Sequence, residues 1–310
     1  MSCIVWNVRG LGNQRAFREL KRLIADKSPS LLFLCETRKR DFNNRYWANL
    51  LGFKGCFSVD SLGRSGGLSI LWKDPIAVCI KSFSQGHIDC VIQHDTKRWR
   101  FTGVYGNPDA SLRYLTWELL DRLANLHEFK DLPWLLGGDF NEICFDSEKL
   151  GGNKRPNSQL EAFRKCLDGC NVQSLNCDGD QFTWVNRRFE DGLIFEKLDR
   201  FVSSFEWRML YPIVKCTSLD FYHSDHRPIC LHFGAVYSST QAPVNNSLRC
   251  FRFEAVWLKD PACESVVLEG WNSDSGNVND LVAKIKSCSR YLQQWTKSSL
   301  QFRPRKIKVK

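Results

Sequence analysis

The sequence predicts an α/β fold, and three observations carry that prediction. Short apolar runs of strand length recur throughout residues 1–233. Some of them, SLLFLC at 30–35 above all, are apolar at nearly every position, as expected of a strand covered on both faces. Between them lie segments whose apolar residues return at helical spacing.

The elements follow in order. Residues 2–6 form a first apolar strand. Residues 16–27 place Phe17, Leu20, Leu23 and Ile24 on one helical face, and 30–35 return to strand. Gly66 and Gly67 open the strand GLSILW. Residues 76–83, 87–93 and 99–105 read as neighbouring strands joined by hairpin turns. Ser111 is placed to cap a helix running through Phe129, with Leu112, Leu115, Leu119, Leu123 and Leu126 at helical spacing. Residues 134–136 are strand again, and Ser158 with Glu161 has the form of a capping box for the next helix. Residues 182–185, 198–202 and 229–233 complete the strands. Residues 234–248, GAVYSSTQAPVNNSL, read as a polar linker. FRFEAVWLKDP and residues 281–300 are expected to be helical, and RPRKIKVK at 303–310 is a basic tail. The chain therefore divides into 1–233 and a linker with a helical, basic extension at 234–310.

Composition narrows the class. The 310 residues are 43% hydrophobic and 25% charged, which argues against global disorder, a collagen repeat or a small disulfide scaffold. No apolar run approaches the roughly 20 residues that span a bilayer. The opening MSCIVWNVRG lacks a secretory pattern, so the expectation is an intracellular protein, not a secreted one, with a nuclear location compatible. The 14 cysteines are scattered with no Cys-x-x-Cys pair, and Cys166, Cys170 and Cys177 have no histidine near them, which argues against structural zinc. Cys35, Cys79, Cys90 and Cys230 lie in apolar runs and read as small buried hydrophobes. Free thiols suit a reducing compartment. The net charge of +10 is uneven: residues 234–310 hold 12 Lys and Arg against 6 Asp and Glu. Such a field attracts polyanions without identifying one.

Function is most legible where apolar strands end. Asn7 closes IVWN, and Glu36 closes LLFLCE. Tyr105 and Asn107 follow FTGV, and Asp139 and Asn141 follow WLLGG. Asp225 and His226 precede Pro228 and the run ICLHF. Singly, such residues are usually turn formers. Together they describe a chain returning repeatedly to one sheet edge, where sites are commonly built. Glu36 and Asp225 are hard oxygen donors, with Asn7 a neutral one, and Mg²⁺ takes such ligands; Mn²⁺ is the alternative ion. Asp139 has the chemistry to take a proton from water, and His226 to donate to a phosphoryl oxygen. Asp199 in KLDRF has the chemistry to orient the histidine and favour its charged form.

In sequence order, WNVRGLG, LCET, GVYGNP, GGDFNE, FTW, KLDRF and SDHRP resemble the motifs of the endonuclease/exonuclease/phosphatase superfamily, the DNase I-like fold. The likeness is greatest to the apurinic/apyrimidinic-type endonuclease domain of plant LINE-class non-LTR retrotransposons. It spans residues 1–233. The extension resembles the connector that precedes the reverse transcriptase in those elements, so the chain reads as a truncated element or a fragment lacking that partner region. The resemblance implies a four-layer α/β sandwich, two packed mixed sheets flanked by helices. It implies divalent-metal phosphodiester hydrolysis with DNA as substrate and no membrane partner. It assigns Asn7, Glu36 and Asp225 to the metal site and Tyr105 to a phosphate contact. It assigns Asp139 and Asn141 to the water, Asp199 and His226 to a pair, and Thr183 to a supporting position. Arg9 departs from the broader repair-endonuclease pattern, which has an acidic residue there, and this bears on metal stoichiometry.

Two other readings keep their place. One is a phosphatase or phosphodiesterase of the same fold acting on lipid or nucleotide phosphates. The other is an inactive nucleic-acid-binding remnant. Lys97-Arg98-Trp99-Arg100, and Trp184 with Arg187-Arg188, are candidate tracks for a DNA backbone, against the alternative that Trp99 is a core strand residue. Oligomeric state is not legible.

Overall fold

The first apolar run becomes β1 (Ser2–Asn7), and its surroundings explain why it is apolar throughout. Cys3 and Val5 join one core cluster while Ile4 and Trp6 join another, so the strand is covered on both faces. This computed structural model describes residues 1–40, 43–63, 65–186, 192–234, 260–273 and 281–298. The chain forms two compact units, Met1–Val236 and Tyr237–Lys310.

The first unit continues with β2 (Leu31–Cys35), β3 (Gly55–Val59), β4 (Leu68–Trp72), β5 (Ala77–Ser84), β6 (His87–His94), β7 (Lys97–Tyr105) and β8 (Trp134–Asp139). Then come β9 (Lys149–Leu150), β10 (Val172–Ser174), β11 (Cys177–Asp178), β12 (Trp184–Val185), β13 (Phe195–Glu196), β14 (Asp199–Ser204), β15 (Val214–Ser218) and β16 (Ile229–Phe233). One seven-stranded sheet runs β11-β15-β16-β1-β2-β4-β3, and a six-stranded sheet runs β10-β14-β8-β7-β6-β5. A small sheet, β12-β13-β9, stands apart. Both large sheets are mixed: β1 pairs parallel with β2, and β7 parallel with β8, amid antiparallel neighbours.

The large sheets pack face to face. Val5, Phe33 and Leu231 from one meet Phe101, Leu135 and Phe201 from the other in a shared core. Glycine at two central positions makes room: a Cβ on Gly103 would stand 2.2 Å from the Phe33 ring, and one on Gly137 would stand 2.6 Å from Phe201. Helices close the outer faces. Leu20, Leu23 and Ile24 of α1 (Gln14–Lys27), with Ala48 and Leu51 of α2 (Asn44–Leu51), cover Ile4, Leu32 and Leu71. Leu120 and Leu123 of α3 (Tyr114–Ala124), with Phe163 and Leu167 of α4 (Asn157–Gly169), cover Val104, Leu136 and Val202. The result is the four-layer α/β sandwich. A short α5 (Phe205–Leu210) buries Trp207 against Trp99.

Several local expectations are corrected. The expected helix from Ser111 to Phe129 is three pieces. Asp109 accepts from the backbone N–H of Ser111 and starts a 3₁₀ turn at Ala110–Leu112, α3 occupies Tyr114–Ala124, and a second 3₁₀ turn spans His127–Phe129. Its buried face is Thr116, Leu120 and Leu123, while Leu112, Leu115 and Leu126 stay exposed. The capping box at Ser158 and Glu161 does not form, because Pro156 holds the cap position of α4 and Ser158 is already inside the helix. Cys79 is exposed on the edge strand β5, and Cys177 is disulfide-bonded to Cys216, its directly opposite partner on β15. Cys79 is thus free but not buried, and Cys177 is not the free thiol expected.

Two members of the basic cluster at 97–100, Trp99 and Arg100, are buried and out of reach of a DNA backbone, as the core-strand alternative has it for Trp99. Trp99 is fully buried, and Arg100 is 2% exposed. The Arg100 guanidinium donates to both Asp89 oxygens at 2.9–3.2 Å and stacks over Trp134 and Phe129. Lys97 donates to the Leu210 carbonyl. Arg187 and Arg188 lie outside the described residues.

In the second unit, α6 (Ala262–Asn272) and α7 (Leu281–Ser298) pack around Cys263 and Leu292. FRFEAVWLKDP falls almost wholly outside the described residues, as does the basic tail.

The Arg100–Asp89 pair yields a stability prediction. Arg100→Met strands a buried carboxylate and is expected to cost about 3–5 kcal/mol in urea unfolding, most of it recovered by adding Asp89→Leu. A loss below about 1 kcal/mol for the single variant would show that the ion pair is not what holds β6 and β7.

Candidate active site

Strand register, not sequence proximity, assembles the site. Asn7 ends β1 opposite Cys35, so Glu36 leaves β2 beside it. Tyr105 ends β7 opposite Asp139 at the end of β8, and Asp199 opens β14 opposite the same Asp139. β16 pairs with β1, which brings the preceding residues Asp225 and His226 to the same edge.

Asn7 is fully buried, and its amide nitrogen donates to Glu36 Oε1 and to Asp139 Oδ2, both at 2.9 Å. Its oxygen accepts from the Arg9 N–H at 3.1 Å. The side chain thus turns its nitrogen, not the expected oxygen, toward the carboxylates. Glu36 also receives Arg9 Nη1 at 3.2 Å and Arg38 Nη2 at 2.8 Å, and the Tyr105 hydroxyl hydrogen-bonds to it. Burial alone would raise the Glu36 pKa, but Asn7, Arg9 and Arg38 outweigh it and lower it to about 2. Asp225 Oδ1 lies 3.1 Å from Arg9 Nε, and Asp225 Oδ2 accepts from Trp184 Nε1 at 3.1 Å.

Across the edge, His226 Nδ1 is 2.9 Å from Asp199 Oδ2, and its Nε2 is 3.8 Å from Asp139 Oδ2. Burial would lower the histidine pKa, yet Asp199 and Asp139 more than offset it and raise it to about 9. Asp139 is held above the ordinary carboxylate range, chiefly by burial, with Asp199 adding and His226 opposing. Burial, with Glu36 and Asp139 beside it, also keeps the Tyr105 phenol protonated. Asp139, Asp199 and His226 offer ligand atoms within 4.8 Å of one another, a buried acidic and histidine group able to hold a metal. A histidine that keeps its proton to about pH 9, with Nδ1 committed to Asp199, favours an ion pair there over metal ligation.

Supporting contacts fix these groups. Asn141 adopts a left-handed φ of 53°, donates its backbone N–H to Asp139 Oδ1, and anchors its amide nitrogen on the Gly106 carbonyl. Thr183 Oγ1 accepts from the backbone N–H groups of Leu198 and Asp199. Arg9, Glu36 and Arg38 also hold left-handed φ values, 50°, 51° and 52°. Such conformations cost non-glycine residues about 1–3 kcal/mol each and gather at functional sites. Asn107 accepts from the N–H of Asp109 and serves as a turn former.

All nine expected residues lie at this edge. Sequence reasoning missed the helpers: Ser224, whose hydroxyl donates to the Asn7 carbonyl and accepts from the His226 N–H, and Trp6, whose indole donates to the His226 carbonyl. Both sit inside the motifs SDH and WN. It also missed Glu142, buried after Asn141 and paired with Arg113 at 2.7 Å.

The sequence matches the Endonuclease/Exonuclease/phosphatase family over residues 4–204. Among solved structures, the endonuclease domain of TRAS1, a telomere-specific non-LTR retrotransposon, superposes with a TM-score of 0.58 at 16% identity, covering 75% of this chain and 97% of that one. The 3'-5' exonuclease NExo from Neisseria meningitidis gives 0.58 at 18%, covering 75% and 99%. The AP endonuclease LMAP from Leishmania major gives 0.58 at 17%, covering 76% and 88%. No curated protein matches the sequence.

The raised histidine pKa carries a sign. Its stabilisation is fully present below about pH 6.5 and is lost as pH rises through about 9. In EDTA, the stability gap between wild type and Asp199→Asn is therefore expected to shrink by at most about 3 kcal/mol across that window in urea unfolding. A gap that does not change with pH would show that Asp199 does not hold His226 as an imidazolium.

Proposed function

The chain belongs to the endonuclease/exonuclease/phosphatase family, and from that premise we propose that it is a divalent-metal-dependent DNA endonuclease of retrotransposon origin, LINE-class, using Mg²⁺ or Mn²⁺. Phosphodiester hydrolysis is the chemistry of the family. The observation that carries the reading is the division of the site into two poles. One is acidic, Glu36 and Asp225; the other is the Asp139–His226–Asp199 group.

The acidic pole fits a hard cation. Both residues offer carboxylate oxygens, and a positive group, the Arg9 guanidinium, already bridges them. Glu36 and Asp225 would hold the ion, with Asn7 orienting Glu36. Bound there, it would neutralise charge on the phosphoryl and leaving oxygens.

The protein groups do the rest. Asp139, with its raised pKa, is the better placed to accept a proton from an attacking water, and Asn141 offers an amide oxygen to orient that water. His226, kept cationic by Asp199, donates Nε2–H to a phosphoryl oxygen as charge grows there. Thr183 holds the Asp199 backbone, and the neutral Tyr105 phenol is a further donor to phosphate.

DNA as substrate draws support from the likeness to the TRAS1 domain and to an AP endonuclease, from the likeness to the 3' phosphatase NExo bound to a product DNA hairpin, and from the net charge of +10. Among the described residues no helix is long and apolar enough to cross a membrane. A complete set of site side chains favours an enzyme over a remnant.

Purified protein is expected to nick supercoiled plasmid with Mg²⁺ and not with EDTA. Asp139→Asn should slow single-turnover nicking by at least about 100-fold at every accessible pH, since an amide cannot take the proton. Glu36→Gln should remove most of the metal-dependent rate with the melting curve retained. Cleavage that survives EDTA would sink the metal requirement. Release of phosphate from monoesters without nicking would favour the phosphatase reading.

A further inference from the structure

Arg9 lies where the acidic pole would take its cation. Its left-handed backbone, φ 50°, and its N–H bond to Asn7 Oδ1 fold the side chain back over the strand ends. Nη1 lies 3.2 and 3.4 Å from the two Glu36 oxygens, and Nε lies 3.1 Å from Asp225 Oδ1. Arg38 pairs with Glu36 and not with Asp225, through Nη2 at 2.8 Å from Oε2. One guanidinium therefore spans the two carboxylates that come from separate strand ends. Two cations a few ångströms apart repel, and each needs the same oxygen lone pairs.

The partners differ in how readily they move. The Arg9 side chain is 45% exposed, whereas Glu36 and Asp225 are 6% and 18% exposed. Glu36 is pinned by Asn7 and Arg38, and Asp225 by Trp184. The arginine can swing into water while the carboxylates stay.

We infer that Arg9 and the divalent cation are alternative occupants of the Glu36–Asp225 pair, so that Arg9 sets the metal affinity of the site. This rests on the metal-dependent reading above. Without metal, Arg9 neutralises two crowded carboxylates. With metal, it must leave at least one of them, and the apparent affinity falls by the fraction of molecules in which it has left. A neutral residue at position 9 removes that competition.

The test is Mn²⁺ binding to the full chain without substrate, by calorimetry and electron paramagnetic resonance. Arg9→Gln is expected to bind Mn²⁺ about tenfold more tightly than wild type, equivalent to about 1.4 kcal/mol. Arg9→Lys, which keeps the charge, should stay near wild type. Arg9→Gly, which suits the left-handed backbone, should tighten like Arg9→Gln and serves as the second neutral variant. In EDTA the neutral variants should melt below wild type, and Mn²⁺ should raise their melting temperatures more than that of wild type. Equal or weaker Mn²⁺ binding by both neutral variants overturns the inference while leaving the metal-dependent reading intact. Absence of Mn²⁺ binding by every protein, wild type included, removes both.

Discussion

A single buried amide holds the site together. The two hydrogens of the Asn7 side-chain nitrogen go to Glu36, which leaves a strand of the seven-stranded sheet, and to Asp139, which ends a strand of the six-stranded sheet. The sandwich core between the sheets is apolar and non-directional, so it fixes their separation better than their registration along the edge. Two short charge-assisted bonds from one planar group supply the registration. Two neighbouring contacts lean on the same residue. Asn7 Oδ1 accepts from the Arg9 N–H, and the Ser224 hydroxyl ties the His226 loop to the Asn7 carbonyl, alongside the bonds that Asp199 and Trp6 make to His226.

The chain buries a good deal of charge to do this, and the charge is consistently paired. Asp89 with Arg100 and Glu142 with Arg113 are nearly inaccessible, and each pair joins an element to the loop or strand beside it. Arg113 is also near the carbonyls of Asn107 and Pro108, so the turn after Tyr105 and the turn after Asn141 share one anchor. Such pairs add modest net stability but penalise any arrangement that separates them. Four left-handed non-glycine residues, Arg9, Glu36, Arg38 and Asn141, stand at the site, and each uses its side chain in a hydrogen bond there.

How much of this is legible in the sequence follows from what each signal measures. Strands covered on both faces announce themselves, since both faces demand apolar residues; β1, β2 and β8 are legible to within a few residues. The site is legible because polar residues interrupt those strands at their ends. Helix phase is less so. The leucines of α3 repeat at helical spacing on more than one face, and only the strands beneath select Leu120 and Leu123 over Leu115. The capping box fails because Pro156 already holds the cap position. The cluster at 97–100 misleads because sequence charge does not reveal a buried partner, and Asp89 is invisible until β6 and β7 pair. Arg9 stands out in the sequence as a departure, but its contact with Asp225 is a fact of the fold alone.

β1 and β16 are adjacent in the sheet although they come from opposite ends of the first unit. During synthesis the Asn7–Glu36–Asp139 core can be laid down early, but His226 arrives only with the final strand. Until then Asp139 lacks its cationic neighbour and the acidic pole lacks Asp225. A chain that ends before β16 therefore lacks the pairing that brings Asp225 and His226 to the edge, and the site stays two groups short. Closing a contact over so long a stretch of chain is entropically slow. The pairing of β16 with β1 thus joins the most distant parts of the first unit and completes the edge at which the candidate site lies.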